Sequence, residues 1–95
     1  MKQRQDQRMS EDNWIKKYRD EIDQIDQKIL HLVNLRAECA IQIGLIKKKA
    51  GLPIFVPERE QEVVDNMKSL NQGPLPDEVI AELYHWLFVQ MKNLE

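Results

Sequence analysis

Apolar or small side chains recur along residues 10–50 at the three- and four-residue spacing of an α-helix. The positions are 22, 25, 29, 32, 40 and 43. Ser10 is a suitable N-cap, and Gly51 followed by Pro53 is a suitable stop. Between them, Gly44 is a residue that a helix tolerates at a cost of about 1 kcal/mol. The pattern predicts one long helix, and a break near Gly44 is the alternative.

Two shorter apolar stripes follow the long helix. The first begins at Pro57, a residue suited to a first helical turn, and is expected to end at Gly73. Its members are Val63, Met67 and Leu70. The second begins near Pro76, and its members are Ile80, Leu83, Leu87, Met91 and Leu94. No segment alternates as a strand does, so the sequence predicts an all-α fold with three helices per chain, one long and two shorter.

The first helix is long for so short a chain. At 1.5 Å per residue it would span roughly 60 Å. A compact chain of 95 residues is only about 30 Å across. Much of the apolar stripe would therefore lie outside a compact monomer. We expect a second copy to cover it in an intertwined helical homodimer.

Composition and charge narrow the class of protein. The chain is 42% apolar and 32% charged, which is typical of a soluble helical domain. Its net charge of −2 gives no general attraction to nucleic acid or anionic lipid. Uninterrupted apolar runs are too short to cross a bilayer, and the single cysteine provides no disulfide framework. We expect a cytoplasmic protein with no nucleic-acid or membrane partner, divided into a disordered polar tail (1–11) and a helical domain (12–95).

Four cations lie on or beside the apolar stripes: Arg19, Arg36, Lys47 and Arg59. Arg36 and Lys47 are eleven positions apart, which puts them roughly 20° apart around a helix. One interpretation is that these side chains bury their stems and keep their charges in water. That interpretation is weakest for Arg36 in mid-helix, because a buried charge without a partner is costly. Fixed acids could satisfy the cations, and so could a small ligand with two carboxylates.

Three segments carry a more specific signal, in this order along the chain. They are YRDEIDQIDQKILHLVNLRAECAIQIGLIK, PIFVPERE and GPLPDEVIAELYHWLFVQMKNLE. Together they resemble the first helix, the loop with the start of the second helix, and the third helix of the all-helical (type II) chorismate mutase family. The resemblance covers residues 14–95. It implies an intertwined homodimer that rearranges chorismate to prephenate in aromatic amino-acid biosynthesis, with no cofactor, metal or covalent intermediate.

The resemblance also implies roles for individual residues. Arg36 and Arg19 of the partner subunit would clamp the two substrate carboxylates. Lys47 and Glu95 would flank the ether oxygen, Arg59 would support the site beside it, and Glu60 would hold the substrate hydroxyl. The implied catalytic residues are Lys47, Glu95, Arg36 and Arg59. The implied substrate-binding residues are Arg19, Arg36, Lys47, Val56, Arg59, Glu60, Met91 and Glu95.

Three of these positions depart from the family's fullest pattern. Val56 stands where Asp is common, Met91 where a small polar residue is common, and Glu95 where Gln is frequent. A valine side chain offers no oxygen to cap the second helix. The departures leave the substrate open, so isochorismate pyruvate lyase and 4-amino-4-deoxychorismate mutase are alternatives on the same scaffold. A non-catalytic dimerisation or regulatory module, derived from a longer enzyme, is a third.

Overall fold

The computed structural model describes residues 10–95, which contain three α-helices and no strand. The helices are α1 (Glu11–Ala50), α2 (Pro57–Leu70) and α3 (Asp77–Leu94). The prediction of an all-α chain with one long and two shorter helices is therefore confirmed. Residues 1–9 of the predicted tail lie outside the described residues, whereas Ser10 and Glu11 form the start of α1.

Helix α1 begins and ends at its sequence signals. The Ser10 hydroxyl oxygen accepts a hydrogen bond of 3.1 Å from the Asn13 backbone N–H, as an N-cap does. The helix continues through Gly44, so the alternative of a break there is wrong. Gly51 follows the last turn with a φ of +70°, in the left-handed region that glycine adopts at helix ends.

Asn71 organises the connection between α2 and α3. Its side-chain amide donates to the Leu75 carbonyl and to the Asp77 carboxylate, both at 2.8 Å. Its side-chain oxygen accepts from the Gly73 N–H at 3.0 Å. These local bonds offer the backbone an alternative to further helix, so α2 ends at Leu70 rather than at the predicted Gly73.

The chain divides into two compact units, of which the first ends at Leu35 and the second is Arg36–Glu95. The described part of the first unit is the N-terminal section of α1. Its apolar stripe consists of Ile22, Ile25, Ile29 and Leu32, each more than half exposed. In this unit, the predicted stripe is thus a continuous apolar surface of a single helix.

The second unit contains the buried core, to which all three helices contribute. The buried apolar side chains of the described residues are Ala40, Val64, Leu87, Phe88 and Met91. Leu87 and Met91 belong to the stripe predicted for α3, but Leu83 and Leu94 of that stripe are about half exposed. Phe88 takes part in the core instead, because positions 87, 88 and 91 share one face of the helix.

One stretch of α1 is long and apolar enough to cross a membrane by length and composition alone. Only 11% of that 18-residue stretch is buried. The sequence prediction considered uninterrupted apolar runs and therefore did not identify it. A helix that packs its apolar face against another helix passes the same test, so the stretch is weak evidence for a membrane span.

Candidate functional site

A cavity of about 470 Å³ lies in the second unit, within the usual size range of small-molecule sites. Side chains from all three helices and from the loop between α1 and α2 line it. Seven of the eight site residues predicted from the sequence are among them: Arg36, Lys47, Val56, Arg59, Glu60, Met91 and Glu95. The structure thus brings these side chains together, while their roles stay predictions.

The α1 wall of the cavity repeats the helical spacing that the sequence indicated. Arg36, Ala40, Ile43 and Lys47 line the cavity from one face of α1. The Arg36 guanidinium lies over the Phe88 ring, 5.8 Å from its centroid, in a cation–π contact. Among the described residues, the Arg36 side chain forms no ion pair. The buried Phe88 therefore orients a half-buried cation whose donors stay available to a ligand.

Lys47 is tied to the loop that follows α1. Its Nζ donates a hydrogen bond of 2.8 Å to the Ile54 carbonyl. An ammonium group has three donors, so this bond fixes the side chain and leaves donors for a ligand. Both Lys47 and Ile54 line the cavity, and Lys47 is half-buried.

The start of α2 supplies both signs of charge to the site. Val56 occupies the N-cap position and makes no side-chain cap hydrogen bond, as the sequence predicts. Arg59 is exposed and forms an ion pair with Glu62 on the same helix. Glu60, in contrast, is half-buried and faces α3.

Lys92 is a cavity residue that the sequence analysis missed. Its Nζ lies 3.1 Å from Oε2 of Glu60 and 4.2 Å from the centroid of the Phe55 ring. Lys92 is three residues before Glu95 and therefore shares a helical face with it. Phe88, also missed, lies four residues before Lys92 on the same face. The spacing from Glu95 is the signal that could have identified both.

Gly44 and Glu95 approach each other closely where α1 meets the end of α3. A Cβ at Gly44 would lie 2.9 Å from the Glu95 Cβ, and 3.0 Å from both its Cα and Cγ. Real Cβ atoms essentially never contact others below 3.0 Å. Glycine at this position thus gives Glu95 the space to lie directly on α1.

Arg19 is the one predicted site residue that does not line this cavity. It lies in the first unit, where it lines a surface depression together with Asp12, Ile15, Lys16, Asp20 and Asp23. The sequence expectation assigned it to the partner subunit's site, and that assignment stays a prediction.

The charges of the cavity favour a small organic anion. Four cations line it, namely Arg36, Lys47, Arg59 and Lys92, against the two carboxylates of Glu60 and Glu95. Apolar side chains such as Ile43, Val63 and Phe88 form much of the remaining wall. Donors fixed in such surroundings can stabilise negative charge that develops during a reaction. No group of His, Cys, Asp or Glu in residues 10–95 could hold a metal ion.

The sequence and the fold of the chain are both similar to those of known proteins. A family model described as "Chorismate mutase type II" matches residues 18–95. A chorismate mutase of Methanocaldococcus jannaschii is 38% identical over 78 residues, which cover 81% of this chain and 79% of that protein. The structure of a chorismate mutase (form II) from Thermus thermophilus superposes with a TM-score of 0.83 at 34% identity, covering 84% of this chain and 91% of that one.

Other relatives are much longer than this chain. A bifunctional chorismate mutase/prephenate dehydratase of Aquifex aeolicus is 44% identical over 85 residues, which cover 85% of this chain but 24% of that protein. The chain therefore spans about a quarter of the length of this bifunctional relative.

The contact between Gly44 and Glu95 predicts the effect of Gly44→Ala. Alanine favours helix by roughly 0.5–1 kcal/mol over glycine, but here its methyl group must displace Glu95. We expect the backbone amide resonances around Glu95 to shift while the helix content measured by circular dichroism is kept. Glu95→Gly removes the Cβ and Cγ contacts, so Gly44→Ala should cost less stability in that background. An equal cost in both backgrounds, measured by urea unfolding, would contradict the contact.

Proposed function

The chain belongs to the type II chorismate mutase family, as its sequence predicts, and we propose that it converts chorismate to prephenate. The observation that carries the proposal is the cavity in which Arg36, Lys47 and Glu95 come together. The identity to the Methanocaldococcus enzyme and the likeness to the Thermus structure support it.

Binding of the substrate depends first on its two carboxylates. Arg36 presents a planar guanidinium that can bind one carboxylate through two parallel hydrogen bonds. The contact with the Phe88 ring restricts the orientations of the guanidinium before binding. Binding the substrate therefore costs less side-chain entropy. Arg19 of the partner subunit is proposed to bind the other carboxylate. Two fixed cations hold the substrate's side chain over its ring, in the conformer that reacts.

The chemical step is a concerted rearrangement in which the ether C–O bond breaks as a C–C bond forms. Negative charge develops on the ether oxygen, and no nucleophile or cofactor is needed. Lys47, held by the Ile54 carbonyl, is placed to donate to that oxygen. A donor fixed before the reaction stabilises the transition state without reorganisation. Glu95 lies beside the same oxygen as a second hydrogen-bonding group, while Arg59 supports the adjacent carboxylate.

Substrate orientation depends on Glu60, whose carboxylate accepts the hydrogen bond of the ring hydroxyl. A carboxylate has two oxygens with about four acceptor sites, so Glu60 can bind Lys92 and the hydroxyl at the same time.

The functional form is proposed to be an intertwined homodimer in the cytoplasm. The exposed stripe of Ile22, Ile25, Ile29 and Leu32 supports this, because a matching helix of a second copy would remove it from water. The same contact accounts for the apolar stretch of α1 without a membrane. The relatives are named as chorismate mutases, in one case fused to a prephenate dehydratase, and such metabolic enzymes support the cytoplasmic location.

Product identification tests the proposed function. The purified protein is incubated separately with chorismate and with isochorismate, and the products are identified by mass spectrometry. We expect prephenate from chorismate. Pyruvate and salicylate from isochorismate alone would indicate the lyase instead, and no product from either would indicate a non-catalytic module.

The role of Arg36 is tested by two substitutions. Arg36→Ala should lower kcat/KM by about 100-fold or more, the effect of losing one preorganised donor of a reacting site. Arg36→Lys should also be poor, because a point charge lacks the two-pronged geometry of guanidinium. Lys49→Ala, an exposed cation at the end of the same helix, is the control. Near-normal steady-state kinetics of Arg36→Ala would show that Arg36 does not bind the substrate and that its charge is solvated by water instead.

The role of Glu95 is tested by two substitutions. Glu95→Gln keeps the length of the side chain and offers an amide N–H to the ether oxygen, whereas Glu95→Ala has no side-chain donor. We expect Glu95→Ala to lower kcat/KM by about 100-fold, the effect of losing one preorganised donor of a reacting site. Glu95→Gln should keep a kcat/KM close to that of the wild type. Equal steady-state kinetics of Glu95→Ala and the wild type would rule out this role.

The two-chain site is tested by mixing variants. Arg19→Ala and Arg36→Ala homodimers should each be nearly inactive, since every site lacks one clamp. After subunit exchange, one site of each heterodimer carries both lesions and the other carries neither. Activity should then return toward half of the wild-type value per heterodimer. No recovery after exchange, verified by native mass spectrometry, would place Arg19 outside the partner subunit's site.

A further inference from the structure

The ion pair of Lys92 with Glu60 lies at the end of the cavity that is proposed to bind the ring hydroxyl. Lys92 Nζ lies 3.1 Å from Oε2 of Glu60, and the two side chains are 33% and 25% exposed. The Phe55 ring contacts the same ammonium at 4.2 Å. A carboxylate on one side and an aromatic face on the other thus hold Lys92 at the cavity wall.

We infer that Lys92 makes the site select a neutral hydroxyl over an ammonium group at the ring position that Glu60 contacts. The inference rests on the proposed function, and it names chorismate rather than its 4-amino-4-deoxy analogue as the substrate. The sequence leaves 4-amino-4-deoxychorismate mutase open as an alternative, and the position of Lys92 argues against it.

The physical reason is competition between two cations for one carboxylate. An alkyl amine is largely protonated near neutral pH, as the side chain of lysine is. Hydrogen-bonded to the free oxygen of Glu60, such an ammonium would lie within about 8 Å of Lys92 Nζ. At that distance in a partly buried cavity, salt screens the repulsion only in part. A hydroxyl carries no charge and meets no such repulsion.

The neighbouring positions do not compensate for Lys92. Val56, at the N-cap of α2, supplies no charge where an aspartate would add a second carboxylate. The other carboxylate that lines the cavity belongs to Glu95, the C-cap residue of α3. The cations Arg36, Lys47 and Arg59 line the same cavity and add to the repulsion.

The experiment compares kcat/KM for chorismate and for 4-amino-4-deoxychorismate. If the amino analogue reacts too slowly, its inhibition constant against chorismate replaces its kcat/KM. The variants are Lys92→Met, which keeps the length and removes the charge, and Lys92→Arg, which keeps the charge. Lys68→Met, an exposed cation of α2 outside the cavity, is the matched control for net charge. Thermal unfolding checks that each variant is folded.

The expected result is a change of preference rather than a general loss of activity. Lys92→Met should narrow the preference for chorismate by about tenfold or more, as expected for removal of a like-charge contact. Lys92→Arg and Lys68→Met should keep the wild-type preference. An unchanged preference in Lys92→Met, or an equal loss of kcat/KM for both substrates, would overturn the inference and leave the proposed function standing. Absence of chorismate turnover by the wild type would overturn the proposed function and the inference with it.

Discussion

The structure of the site depends on one constraint, which is that cations on an apolar helix face need partners. Arg36 and Lys47 lie on the face of α1 that also carries the buried Ala40. Each has a partial solution within the chain, the Phe88 ring for Arg36 and the Ile54 carbonyl for Lys47. Neither solution neutralises the charge, and we propose that an anion in the cavity is the partner of both side chains.

The parts of the fold that the sequence could predict are those that depend on local signals. The bounds of α1 follow from local signals, and the structure confirms the cap at Ser10 and the stop at Gly51. The early end of α2 was not predictable in the same way. It depends on the Asn71 side chain bonding to Leu75 in the loop and to Asp77 at the start of α3. The sequence alone does not show which of several polar groups this amide will contact.

Prediction of the site has a similar limit. A resemblance in sequence located residues on all three helices, but contacts between helices depend on packing that no spacing along one helix reveals. Lys92 faces Glu60 because α3 packs beside α2, and Gly44 is needed because Glu95 lies on it. Both facts belong to the second unit, whose helices form a core of their own. The exposed stripe of the first unit is the surface that we propose to pack against a second copy.

The central claim is that the cavity of the second unit binds a small dicarboxylate. The most direct measurement is a titration of isotopically labelled protein with an unreactive bicyclic ether that carries two carboxylates, followed by nuclear magnetic resonance. We expect saturable shifts of amide and side-chain resonances at Arg36, Lys47 and Glu95. Shifts confined to the depression around Arg19, or no saturable shift at all, would contradict it.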